Sequence, residues 1–252
     1  LTDVTGVQTC ALPICSPGLS AVIAGLGERL IGLDPRPVER HTAMLYAITR
    51  QAPGGMAQQA IAAIENALVD LKAKALGIPV AEMLGGPVRE RLRLYWSHFG
   101  SYRLAHAAAM GVEPVRSLAD LEALAATVRE RGFGALKTNI FVFDDEAPYM
   151  YQPGFAHQPG WPGLDGDRRL LGIVGEQMRV LRGATGPDFD LMLDLNFNFK
   201  TEGFLRVARR LEPLDLTWLE IDGFDPMALA HIRARTETPI ASCESLFGRR
   251  QF

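Results

Sequence analysis

Leu191-Met192-Leu193-Asp194-Leu195-Asn196 is a short apolar run closed by a carboxylate. The same device recurs in Thr217-Trp218-Leu219-Glu220 and in Pro239-Ile240-Ala241-Ser242-Cys243-Glu244. The steps are 26 residues (194 to 220) and 24 residues (220 to 244). A strand and its returning helix in a (β/α)₈ barrel take about 30 residues, because eight such units fill ~250. One acid at the C-terminal end of each of three consecutive strands would line the catalytic rim. Oxygen donors converging there suit a hard divalent cation, Mg²⁺ ahead of Zn²⁺.

Reading outward, strand–helix alternation begins after Pro87 and marks a parallel sheet with crossovers. Strands are expected over 92–99, 135–141, 191–199, 216–221 and 239–244, with helices over 117–131, 167–182, 202–211 and 226–236. That gives five βα openings, where a closed barrel needs eight. Strand alternation sends Leu191, Leu193 and Leu195 to the helix side. Lys137, Asn139, Asp194, Asn196, Glu220 and Glu244 then point into one volume. Before Pro87 the chain reads as helices only: two over 20–50, divided by the turn Gly32-Leu33-Asp34-Pro35-Arg36-Pro37, and a strong one over 58–76 stopped by Gly77 and Pro79.

Composition narrows the classes. The chain has 252 residues, 48% of them hydrophobic, and a net charge of −3 from 26 basic and 29 acidic residues that are well mixed. No basic stripe marks a nucleic-acid face, and no apolar run approaches the ~20 residues of a membrane span. Cys10, Cys15 and Cys243 are too few and scattered for a disulfide framework or a zinc site, so a reducing compartment is expected. Val4-Thr5-Gly6-Val7-Gln8-Thr9-Cys10-Ala11-Leu12-Pro13-Ile14 resembles the in-frame translation of a sequencing adapter. Residues 1–15 are therefore set aside. The expected domains are a helical remnant of a capping domain over 16–90 and an incomplete barrel over 91–252.

Ala67-Leu68-Val69-Asp70-Leu71-Lys72-Ala73-Lys74-Ala75-Leu76-Gly77-Ile78-Pro79-Val80, followed by Leu84-Gly85-Gly86, resembles the last capping-domain helix of the mandelate racemase/muconate lactonizing branch of the enolase superfamily. Gly134-Ala135-Leu136-Lys137-Thr138-Asn139 resembles that branch's second-strand Lys-x-Lys motif, and Asp194, Glu220 and Glu244 match its three Mg²⁺ ligands. The resemblance implies an α+β capping domain ahead of a (β/α)₈ TIM barrel. It also implies a shared first step, removal of the proton α to a substrate carboxylate with Mg²⁺ stabilising the enediolate.

Lys137 would stabilise the carboxylate, or act as a base if its neighbours lower its pKa. The second Lys of the motif is Asn139 here, and the family's His–Asp pair would lie after Phe252. The expected activity is acid-sugar (aldonate or aldarate) dehydration by a cytoplasmic homo-oligomer. The alternatives are a racemase, epimerase or cycloisomerase sharing the same step, or an inactive barrel fragment or binding protein.

Asn139, Asn196 and His98 are the candidate substrate contacts. Asn198 is expected to satisfy rim backbone groups, and Asp222 to cap the following helix. Lys137 to Asp194 spans 57 residues, well beyond one barrel unit, and the excess falls at Val142–Gly166, rich in Pro, Gly and aromatics. A loop of that length after a barrel strand is expected on the rim as a lid.

Overall fold

A computed structural model describes residues 18–143, 147–153, 165–223, 225–244 and 246–248. The adapter-like segment, Cys10, Cys15 and most of the expected lid lie outside the described residues. The chain divides into two compact units, Leu1–Leu92 with Phe247–Phe252, and Arg93–Leu246.

The first unit is helical where it is described. It contains α1 (Leu19–Gly27), α2 (Val38–Thr49), α3 (Gly55–Leu76) and α4 (Val80–Met83). Ala60, Ile61 and Ile64 of α3 share one face and pack with Leu19, Leu26 and Leu45. Gly77 ends α3 in the left-handed region at φ 68°, where a side chain would strain the backbone. His41 is buried and pairs its Nε2 with the Asp34 carbonyl at 2.6 Å, fixing the turn before α2.

The second unit opens with β1 (Trp96–Phe99), α5 (Ser101–Ala105), α6 (Ala107–Met110) and α7 (Leu118–Glu130). Next come β2 (Ala135–Thr138), the hairpin strands β3 (Phe141–Val142) and β4 (Tyr149–Met150), and α8 (Arg168–Thr185). It continues with β5 (Asp190–Asp194), α9 (Thr201–Leu211), β6 (Trp218–Glu220), α10 (Pro226–Arg233) and β7 (Ile240–Ala241). The order β1-β2-β5-β6-β7 is parallel throughout. These are five successive strands of a (β/α)₈ barrel, with β1 and β7 at the edges.

Local chemistry sets the helix starts. Ser117 caps α7 by accepting from the Asp120 N–H, Asp167 caps α8 through the Leu170 N–H, and Asp225 caps α10 through the Met227 N–H. Leu121, Leu124, Ala125 and Val128 recur at helical spacing and are buried. They meet the helix-facing strand residues Leu136, Leu191, Leu193 and Leu219, each fully buried, in one core. The opposite face of the same strands carries Lys137, Met192, Asp194, Trp218 and Glu220.

The long excess after β2 begins as a hairpin. Phe141 pairs with Met150 and Val142 with Tyr149. Tyr151 is buried, its N–H donates to the Ile140 carbonyl at 2.8 Å, and its ring stacks on Phe199 at 5.9 Å. Asn198 Nδ2 donates to the Tyr151 carbonyl at 2.9 Å, the backbone-satisfying role expected of it. The described base of the insertion is thus tied to the loop that follows Asp194.

Candidate metal and carboxylate site

The strand ends bring the acids together. Met192 pairs with Trp218, and Asp194 with Glu220. The ladder runs on beyond the strands, with Leu195 N–H donating to the Glu220 carbonyl at 2.9 Å and Asp222 N–H to the Asn196 carbonyl at 3.3 Å. Asp194, Glu220 and Asp222 consequently offer carboxylate oxygens that all lie within 4.8 Å of one another. Two oxygens on one Mg²⁺ are at most about 4.2 Å apart, twice its usual bond length. The group is therefore within a small side-chain adjustment of a hard-cation site.

Glu244 stands outside that group. It is exposed, in a turn three residues beyond β7. Its charge nevertheless acts on both Asp194 and Asp222. Asp222 occupies the third place among the gathered acids and caps no helix; Asp225 is the cap. The missed signal was alternation: Glu220-Ile221-Asp222 sends Ile221 to the core and both acids to the other face.

Lys137 lies against the same acids. Its Nζ is 2.5 Å from Glu220 Oε2 and 3.5 Å from Asp194 Oδ2, and the three side chains are 8–15% exposed. Burial alone would lower the Lys137 pKa, but the Glu220 hydrogen bond and the Asp194 charge outweigh it and hold the ammonium above its ordinary value. Burial raises Asp194, and the charge of Glu220 adds to it against the opposing pull of Lys137. Burial, followed by the charges of Glu244, Asp194 and Glu220, pushes Asp222 up to about 7. Buried carboxylates that repel one another in this way favour a bound cation.

The amides are placed with similar economy. Asn196 takes a left-handed backbone at φ 48°, and its N–H donates to Asp194 Oδ1 at 2.9 Å. Its Nδ2 is buried with no hydrogen-bond partner among the described residues, as is Ser242 Oγ. Such unpaired buried groups are few in folded proteins, and here they flank the gathered acids. Asn139 is buried one residue beyond β2. His98, half-buried at φ 49° near the end of β1, lies 5.1 Å from the Tyr102 ring.

The sequence matches the enolase C-terminal domain-like family over residues 120–252, and the N-terminal domain family of mandelate racemase/muconate lactonizing enzyme over residues 4–85. It is 29% identical over 237 residues to L-talarate/galactarate dehydratase of Salmonella typhimurium, covering 93% of this chain and 50% of that protein. It is 28% identical over 233 residues to D-mannonate dehydratase of Novosphingobium aromaticivorans, covering 88% and 54%. A protein from Burkholderia xenovorans strain LB400, provisionally named L-alanine-DL-glutamate epimerase and solved with magnesium and fumarate, is 45% identical. It superposes with a TM-score of 0.88 over 94% of this chain and 59% of that one.

The chain thus spans about half the length of the curated relatives it matches. With both family domains matched in order over a parallel barrel sheet and a gathered acid site, the chain belongs to the enolase superfamily, in its mandelate racemase/muconate lactonizing enzyme branch, whose enzymes bind a metal.

Proposed function

We propose that the whole protein carrying this chain is a Mg²⁺-dependent lyase that dehydrates an acid sugar by first removing the proton α to its carboxylate. The observation that carries this reading is the buried Lys137 ammonium packed against Glu220 and Asp194, beside a third acid. A scaffold protein has no use for so costly a cluster. Asp194 and Glu220 would hold the cation; the family resemblance assigns the third ligand to Glu244, and the geometry gathers Asp222 beside the first two. Bound there, a divalent cation would stabilise the negative charge that grows on the substrate carboxylate as the α-proton leaves.

The chain's own residues do the rest. Lys137 holds a carboxylate oxygen by charge and hydrogen bond. Asn139 and the orphaned Nδ2 of Asn196 offer neutral donors to substrate oxygens, and His98 is a further contact at the rim. A neutral carboxamide cannot accept a proton at pH 7, so Asn139 cannot serve as the base that the motif's second Lys would provide. This favours one-base chemistry, elimination, with the base supplied by a part of the protein outside this chain. The dehydratase names of the curated relatives agree with it. Epimerisation is the second reading, favoured by the name given to the 45% identical structure.

An acid-sugar substrate and a cytoplasmic homo-oligomer belong to the same proposal. Among the described residues no helix is long and apolar enough to cross a membrane. The test is incubation of the whole protein with Mg²⁺ and a panel of aldonates and aldarates in D₂O. A 2-keto-3-deoxy product supports dehydration. Interconversion of α-epimers without loss of water shows a second base and replaces this reading with the epimerase one.

A further inference from the structure

The end of β2 carries a side chain whose orientation is set by a neighbour that carries no charge. Asn139 is only 4% exposed, and its Oδ1 accepts a hydrogen bond from Ser101 Oγ at 2.7 Å. That separation is the usual length of an O–H···O bond and shorter than most N–H···O bonds. Ser101 is therefore the donor and the amide oxygen the acceptor. No hydrogen bond engages Asn139 Nδ2 among the described residues.

Three further contacts fix the pair. Gln177 of α8, itself 1% exposed, donates from Nε2 to the Asn139 carbonyl at 2.7 Å and accepts from the Phe141 N–H at 2.8 Å. Thr138 Oγ1 donates to the Phe99 carbonyl at 2.8 Å, stitching β2 to the end of β1. Gly100, at φ 84°, makes the turn that delivers Ser101. A Cβ there would come within 2.9 Å of Leu121 Cδ1 and Phe141 Cε2.

We propose that Ser101 is a positioning residue for substrate binding: it fixes the Asn139 carboxamide so that Nδ2, on the strand face of Lys137, is presented as a donor to an anionic oxygen of the substrate. This rests on the reading of the site as one for carboxylates. It adds that the position two residues after Lys137 selects a hydrogen-bond acceptor and rejects a donor. Without the Ser101 hydroxyl the carboxamide is free to turn over and present its oxygen, which repels a carboxylate.

The experiment is calorimetric titration of fumarate, a dicarboxylate with no sp³ α-proton to lose, into the whole protein with saturating Mg²⁺. Ser101→Ala is expected to bind fumarate about three- to tenfold more weakly, the effect of losing one oriented hydrogen bond. Ser101→Thr keeps the hydroxyl and is expected to restore binding to near wild type. Asn139→Asp can still accept from Ser101 but sets a carboxylate against the ligand, so its binding falls more than about tenfold. Mg²⁺ affinity is expected to stay unchanged in Ser101→Ala, while the circular-dichroism melting temperature falls by a few degrees because the buried Asn139 Oδ1 loses its donor. Fumarate binding by Ser101→Ala at wild-type strength, or a parallel fall in Mg²⁺ affinity, overturns the inference and leaves the proposed function standing. A wild type that binds neither Mg²⁺ nor fumarate overturns both.

Discussion

Replacing Lys137 by Met removes the ammonium that lies 2.5 Å from Glu220 and 3.5 Å from Asp194, and keeps an unbranched apolar stem one atom shorter. The three side chains are 8–15% exposed, so the remaining carboxylates cannot recover full hydration. Taking one partner from a buried ion cluster costs about 3–5 kcal/mol. The rim position of Glu220 places the loss at the lower end, about 3 kcal/mol, or roughly a hundredfold in the folding equilibrium. For a domain of this size that lowers the melting temperature by roughly 6–12 °C.

The loss is expected to depend on pH and on metal. Asp222 sits at about 7 in the fold, above its ordinary 3.8, with the Lys137 charge opposing the burial and neighbouring acids that raise it. A group raised in the folded state contributes stability that is present below its unfolded pKa and is lost as the pH rises through the folded value. Lys137→Met pushes Asp222 further up, so the deficit is larger at pH 8 than at pH 5.5. Millimolar Mg²⁺, binding the folded state alone, is expected to return much of the stability by mass action. The assay is differential scanning calorimetry of wild type and variant at both pH values, with Mg²⁺ or with chelator. Equal melting temperatures at pH 8 in chelator would refute the reasoning, because Lys137 would then not be the counter-charge of the acids.

Asp194→Asn and Glu220→Gln are each expected to weaken Mg²⁺ binding by about two orders of magnitude, and Glu244→Gln and Asp222→Asn by about ten- to a hundredfold, as read by titration calorimetry. Arg182→Met is expected to cost about 2 kcal/mol in urea unfolding without changing Mg²⁺ affinity. It removes hydrogen bonds to the carbonyls of Leu214, Gly186, Phe189 and Asp215, at 2.6–3.0 Å, all of which precede β5 or β6, whereas the acids close those strands. Gly100→Ala is expected to destabilise by roughly 3 kcal/mol, from left-handed strain and the 2.9 Å approaches to Leu121 and Phe141, measured by the same unfolding assay.

The fold was legible where periodicity and punctuation agree. Leu118–Glu130 and Thr201–Leu211 match the helices expected over 117–131 and 202–211, because each carries a buried apolar stripe at helical spacing and Ser117 also caps the first. The strands are shorter than their apolar runs: Leu191–Phe199 yields a strand ending at Asp194, since Asn196 turns the chain into the left-handed region. The hairpin of β3 and β4 was hidden because each strand is two residues long, too short for alternation to register.

Two of the three expected acids converge because a repeated strand-and-helix unit sets their spacing. Asp222 was misplaced because Asp225, three residues on, offers the same capping chemistry nearer to Pro226. Ser101 carried no local signal at all. Its partner Asn139 lies 38 residues away, and only the pairing of β1 with β2 brings them together.

These acids and Lys137 are proposed to serve removal of an α-proton from a carboxylate. The decisive measurement follows solvent deuterium into the α-position of an aldarate by NMR, using the whole protein in D₂O. α-Deuteration or a deuterated keto-deoxy product is expected with Mg²⁺, and neither with chelator or in Asp194→Asn. Turnover of the aldarate in Asp194→Asn at the wild-type rate would contradict it.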